Sequence, residues 1–229
     1  MGKNKLQRWA EMEGFPNVIQ PQLKDILNKD HDLKGKWGSL QFKNKNPLVI
    51  ELGCGRGEYT LGLGKMYPNI NFIGIDIKGA RLWRGAKSAL NENLSNVAFL
   101  RTRIEFIKSF FEPGEVDEIW LTFPDPQLKR RRKNKRLTNA GFLNSYLEFL
   151  KPDGVIHLKT DSHELFQYTF DLLEYNNVKV LEALDNLYSG DYKNDILSIK
   201  TYYEQKFLEQ GINITYLKFQ LPKKLVEIN

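Results

Sequence analysis

Cysteine is nearly absent. Cys54 is the one thiol in 229 residues, so no disulfide can close within the chain and a disulfide-stapled secreted fold is excluded. Histidine is almost as scarce: His31, His157 and His163 lie far apart and, with a single cysteine, offer no zinc-ligand spacing, so no metal site is expected. No apolar run approaches the ~18 residues that span a bilayer. The opening "MGKNKLQRWAEMEG" lacks the apolar core of a secretory signal, and no basic amphipathic helix points to a membrane surface. These absences make the cytoplasm the expected setting. The phosphate loop GxxxxGK[ST] is missing, and the dinucleotide pattern GxGxxG fails where Glu58 replaces its last glycine. No internal repeat or low-complexity linker divides the chain, and its length suits a single domain.

Positive charge is present and concentrated. The formal net charge is +6, yet Lys129, Arg130, Arg131, Arg132, Lys133, Lys135 and Arg136 alone carry seven positive charges, leaving the rest of the chain close to neutral. Such a patch on a neutral body suits a polyanion, because cations placed on phosphates release condensed counterions. Nucleic acid is therefore the expected partner, with these cations as phosphate contacts; the sequence leaves monomer and homodimer open.

The apolar runs alternate with helical stretches. Strands are expected near 47–52, 70–77, 96–100, 116–123 and 154–161, with two more, 178–184 and 212–219, flanking a segment that contains a helix. Short strands alternating with helices imply βαβ units, hence a doubly wound α/β fold with a mostly parallel sheet. Helices are expected up to Met66, over 79–94, from Thr138, from an N-cap at Ser162 to about Tyr175, and ahead of Gly211. Residues 1–46, polar with scattered aromatics, read as an arm that packs loosely on a domain spanning 47–229.

After the first strand, "IELGCGRGEY" places Gly53, Gly55 and Gly57 before a helix, and Asp76 ends the next strand. Glycines there let the backbone approach a ligand, while an acid at the second strand's end can accept both hydroxyls of a ribose. Glu51 adds a carboxylate that would welcome a cationic group. An adenosine with a cationic tail and no pyrophosphate describes S-adenosylmethionine. Further on, "LTFPDPQLK" holds Asp125 between Pro124 and Pro126, each fixing φ and restricting its predecessor, so this acid is positioned rather than loosely solvated.

Together "ELGCGRG", "GIDI", "FPDP" followed by a Lys/Arg block, "LKTD" and "TYYE" resemble the bacterial tRNA (guanine-N7)-methyltransferases over about residues 47–219, in the same order. The resemblance implies a seven-stranded Rossmann-like sheet with an antiparallel last strand, S-adenosylmethionine as cofactor, and tRNA as substrate, methylated at N7 of guanosine 46 in the variable loop. It puts Glu51, Gly53, Gly55, Gly57, Asp76 and Asp125 at the cofactor, makes Asp125 the catalytic acid, and puts Lys129, Asp161, Thr201 and Glu204 at the guanosine. Asp161 also reads as an ordinary strand-end acid, Lys129 as one more phosphate contact, and Thr201 with Glu204 as a helix-capping box. The chain departs from the family pattern twice. Gln127 stands where tryptophan is usual, and Arg103 where an Asp or Asn touches the adenine, leaving that contact to Arg103 or to backbone near Ile104. An RNA-binding protein that kept the fold without turnover is the alternative.

Overall fold

The computed structural model describes residues 3–189 and 194–228. Its elements run α1 (Lys3–Glu13), β1 (Val18–Ile19), α2 (Leu23–Ile26), β2 (Leu48–Leu52), α3 (Glu58–Met66), β3 (Asn71–Ile75), α4 (Gly79–Asn91), β4 (Val97–Leu100), β5 (Val116–Thr122), α5 (Ala140–Tyr146), β6 (Leu150–Thr160), α6 (His163–Tyr175), β7 (Val180–Leu184), α7 (Tyr202–Glu209) and β8 (Thr215–Gln220). The strands form one sheet in the order β1-β4-β3-β2-β5-β6-β8-β7. All pairs are parallel except those made by β8, which runs antiparallel to both β6 and β7. The strand order reverses between β2 and β5, and in doubly wound sheets ligands collect at the carboxyl ends of the strands beside such a reversal.

Alternation along the strands sorts the core into two layers. Ile50, Leu52, Ile73, Ile75 and Leu121 face one cluster, under α5 and α6. Val49, Phe72, Phe99 and Trp120 face the other, under α1, α3 and α4. Ser162 caps α6 as expected, its hydroxyl accepting from the Leu165 amide at 3.2 Å. Gly211 follows α7 at φ +72°, the left-handed position that closes a helix. The helix expected from Thr138 begins two residues later, because the Asn139 side chain accepts from the Phe142 amide and takes the N-cap.

The amino-terminal residues depart most from expectation. Val18 and Ile19 pair with Phe99 and Leu100, adding an eighth strand to the seven expected. Trp37, in a π-helical turn, is fully buried; its indole donates to the Phe110 carbonyl at 2.8 Å and stacks on Phe111. Met12 packs into the other layer. This stretch does not pack loosely, because burying an indole with its N–H satisfied removes a large apolar area from water at no hydrogen-bond cost. Among the described residues, no helix is long and apolar enough to cross a membrane.

Candidate active site

The turn from β2 to α3 is built on left-handed backbone. Gly53, Gly55 and Gly57 have φ of +79°, +56° and +71°. At Gly57 a Cβ would also stand 2.5 Å from a Phe99 ring carbon, so both conformation and space demand glycine. Two acids brace the turn. Asp76, just past β3, accepts from the Gly55 amide at 2.9 Å and the Lys78 amide at 2.7 Å. Glu51 lies beneath the loop, 3% exposed, accepting from the Thr60 amide at 2.9 Å and from the hydroxyls of Thr60 and Thr122. Burial pushes its carboxyl up to about 7, against the three hydrogen bonds that favour the charged form.

The loop after β5 is held as tightly. Phe123 and Gln127, neither a glycine, bracket the two prolines at φ +50° and +49°, a conformation that persists only where surroundings enforce it. The Phe123 amide donates to the Lys159 carbonyl at 2.7 Å, and the Gln127 amide donates to Asp125 Oδ1 at 3.0 Å. Arg136 Nε donates to the Pro126 carbonyl at 2.9 Å, while its guanidinium pairs with Glu164 at 2.8 Å and lies over the Tyr168 ring. Asp125 itself is exposed.

These loops border a cleft at the carboxyl ends of the central strands. One lobe, of about 700 Å³, is lined by Gly53, Asp76, Thr102, Arg103 and Ile104. The second, of about 490 Å³, holds Asp125 and Asp161 with Phe123, Tyr203 and Phe207. Gly53, Asp76, Ile104, Gln127 and Lys135 belong to both. Burial pushes the Asp161 carboxyl up.

A family described as "Putative methyltransferase" matches residues 45–217. A tRNA (guanine-N(7)-)-methyltransferase of Bacteroides thetaiotaomicron is 54% identical over 98% of this chain and 88% of its own length. One of Christiangramia forsetii is 51% identical over 96% of this chain and 98% of its own. The chain belongs to the tRNA (guanine-N7)-methyltransferase family. Among solved structures, the 16S rRNA methyltransferase KamB superposes with a TM-score of 0.61 at 12% identity, covering 85% of this chain and 95% of its own, and so reports the fold alone.

For a tRNA (guanine-N7)-methyltransferase the cleft must accept S-adenosylmethionine, and the residues present fit it. The glycine turn leaves a cradle, Asp76 has lone pairs beyond its two backbone bonds that a ribose could use, and the buried Gln127 Oε1 has no hydrogen-bond partner among the described residues. Arg103 lines the first lobe, exposed and paired with Glu105 at 2.9 Å, beside the backbone of Ile104. Glu51 lines neither lobe.

The cationic run divides. Arg136 is 2% exposed, so its assignment to RNA phosphate is corrected: it is a strut for the Pro126 carbonyl, its charge already matched by Glu164. Lys135 reaches the cleft wall, Lys133 is half-buried, and Lys129, Arg130, Arg131 and Arg132 stand exposed on and beside a 3₁₀ turn. Lys129 lines neither lobe. Thr201 and Glu204 form the capping box of α7. Glu204 is wholly buried with both oxygens engaged, by Lys159 at 2.7 Å and Tyr188 at 2.5 Å on one and the Thr201 amide at 3.3 Å on the other. The capping alternative for these two residues is therefore realised. Sequence reasoning missed Tyr203, Phe207 and Lys159; the "TYYE" string held one of them, but nothing local marks Lys159 as its neighbour's counterion.

Proposed function

We propose that the protein transfers a methyl group from S-adenosylmethionine to N7 of a guanosine in tRNA, guanosine 46 of the variable loop being the position the family resemblance implies. The observation that carries this reading is the second lobe. Two carboxylates, Asp125 and Asp161, line it together with Asp76, with Lys135 in the wall and the exposed arginines on the same 3₁₀ turn as Lys135. Bound in the first lobe, S-adenosylmethionine supplies an electrophilic methyl on a sulfonium.

Guanine N7 carries an in-plane lone pair, so no residue need remove a proton from it. The chain's task is positioning and electrostatics. As N7 is alkylated the base becomes cationic, and Asp125, with Asp161 behind it, stabilises that charge where it develops and accepts hydrogen bonds from the base edge. The exposed cations hold phosphates; the acids select the base. In this reading residues 47–229 carry the chemistry and residues 1–46 buttress it. A tRNA substrate and a single buried thiol support a cytoplasmic setting.

The test is incubation of the protein with unmodified tRNA and labelled S-adenosylmethionine, followed by nucleoside mass spectrometry. Label in 7-methylguanosine is expected. Retained tRNA binding with no methylated nucleoside would favour an RNA-binding protein without turnover, and label in another nucleoside would contradict the assignment of N7.

A further inference from the structure

Beyond the cleft wall four arginines converge on a second concavity. Arg8 of α1, Arg56 of the glycine turn, and Arg81 and Arg84 of α4 surround a hollow of about 570 Å³ with Trp83 and Tyr203; among the described residues no acidic one lines it. Arg81 and Tyr203 also line the lobe that holds Asp125 and Asp161, so hollow and lobe adjoin across these two side chains. Among the described residues none of the four arginines has a carboxylate within ion-pair distance, whereas Arg103 and Arg136 hold Glu105 and Glu164 at 2.9 and 2.8 Å. Three of them rest on aromatic faces: Arg8 lies 4.7 Å over Trp83, Arg56 4.4 Å over Tyr202 and Arg81 5.8 Å over Tyr203. Such stacking orients a guanidinium while leaving its N–H fork free. Unpaired like charges around one concavity repel one another and focus a positive potential into it. That cost is relieved by a ligand with several phosphates, whose oxygens match the fork in pairs.

We infer that this hollow is a second phosphate-binding site that takes the RNA backbone as it leaves the acidic lobe, the 129–135 run holding it elsewhere along the cleft. The inference rests on tRNA being the substrate. The hollow is larger than one phosphate, its cations come from three separate segments, and it adjoins the lobe assigned to the base. These features fit a continuous polyanion better than a free ion.

The test is tRNA binding over a salt series by the full chain, its Arg8→Ala/Arg84→Ala variant, and Arg130→Ala/Arg131→Ala/Arg132→Ala. Arg8 and Arg84 line neither lobe of the cleft, so calorimetric affinity for S-adenosylmethionine in the first variant should match wild type and report an intact fold. Its log-affinity against log-salt slope should flatten by about 1.4 to 1.8, two phosphate contacts at ~0.7 to 0.9 each, with about a tenfold loss of affinity. Arg8→Lys/Arg84→Lys should recover most of the slope, since the charge returns without the fork. Wild-type slope and affinity in Arg8→Ala/Arg84→Ala, alongside a flattened slope in the 130–132 variant, would overturn the inference and leave the tRNA reading standing. Loss of inorganic phosphate binding without loss of tRNA affinity would overturn it too, showing a free-anion site. A wild-type protein with no salt-sensitive tRNA binding would overturn both.

Discussion

At Glu51 one buried carboxylate holds three donors. Burial keeps its proton on up to about 7 in the folded chain, against an ordinary 4.5. A folded-state value above the unfolded one means that the native protein binds the extra proton. The associated stability is complete below about pH 4.5 and is lost as pH rises through about 7. Two to three pH units of displacement correspond to about 3 kcal/mol. Urea denaturation of wild type and Glu51→Gln between pH 4.5 and 8 should therefore show wild type losing roughly that much relative to the variant. A constant difference across the range would contradict the burial argument. The same scale explains why Arg136 misled the sequence reading. Seven cations in eight positions look alike in a string, and only the turn geometry decides which one points inward, to Glu164 and Tyr168.

Among the elements, α7 is fastened to β6 by charge. Lys159 and Glu204 are both fully buried at 2.7 Å, and Lys159 also donates to the carbonyls of Leu197 and Ile199. Burial holds the Lys159 amine below its usual value, a tendency that Glu204 opposes. Removing one partner leaves the other charged and unpaired, so Glu204→Gln should cost about 3 to 5 kcal/mol in urea denaturation. Lys159→Met with Glu204→Leu should regain most of it. A single variant within ~1 kcal/mol of wild type would show that the pair is not load-sharing between the elements. The strands from β2 to β6 were legible because each is a short apolar run bounded by turn residues. The capping box was legible because its two members sit three residues apart. β1 was not, since two residues carry no period. Nor was the Lys159 contact, which joins positions 45 residues apart by tertiary packing alone.

For the molecule as a whole, three aspartates and three arginines of the basic run divide between cleft and surface. Asp76, Asp125 and Asp161 line the cleft, while Arg130, Arg131 and Arg132 stand outside it. Replacing those three arginines by alanine should flatten the salt slope of tRNA affinity by about 2 to 2.7, with a methyl-transfer rate at saturating tRNA close to wild type. An unaltered slope would show that the 3₁₀ turn faces away from the RNA. The converse experiment tests the central claim, that a fixed acid receives the base that becomes cationic. Asp125→Asn keeps both prolines and the side-chain oxygen that meets the Gln127 amide, yet removes the negative charge. Its single-turnover methyl-transfer rate, measured at saturating S-adenosylmethionine and tRNA, should fall by about 10²-fold or more while tRNA affinity barely changes. A variant that folds, binds both and transfers methyl at near wild-type speed would contradict the account.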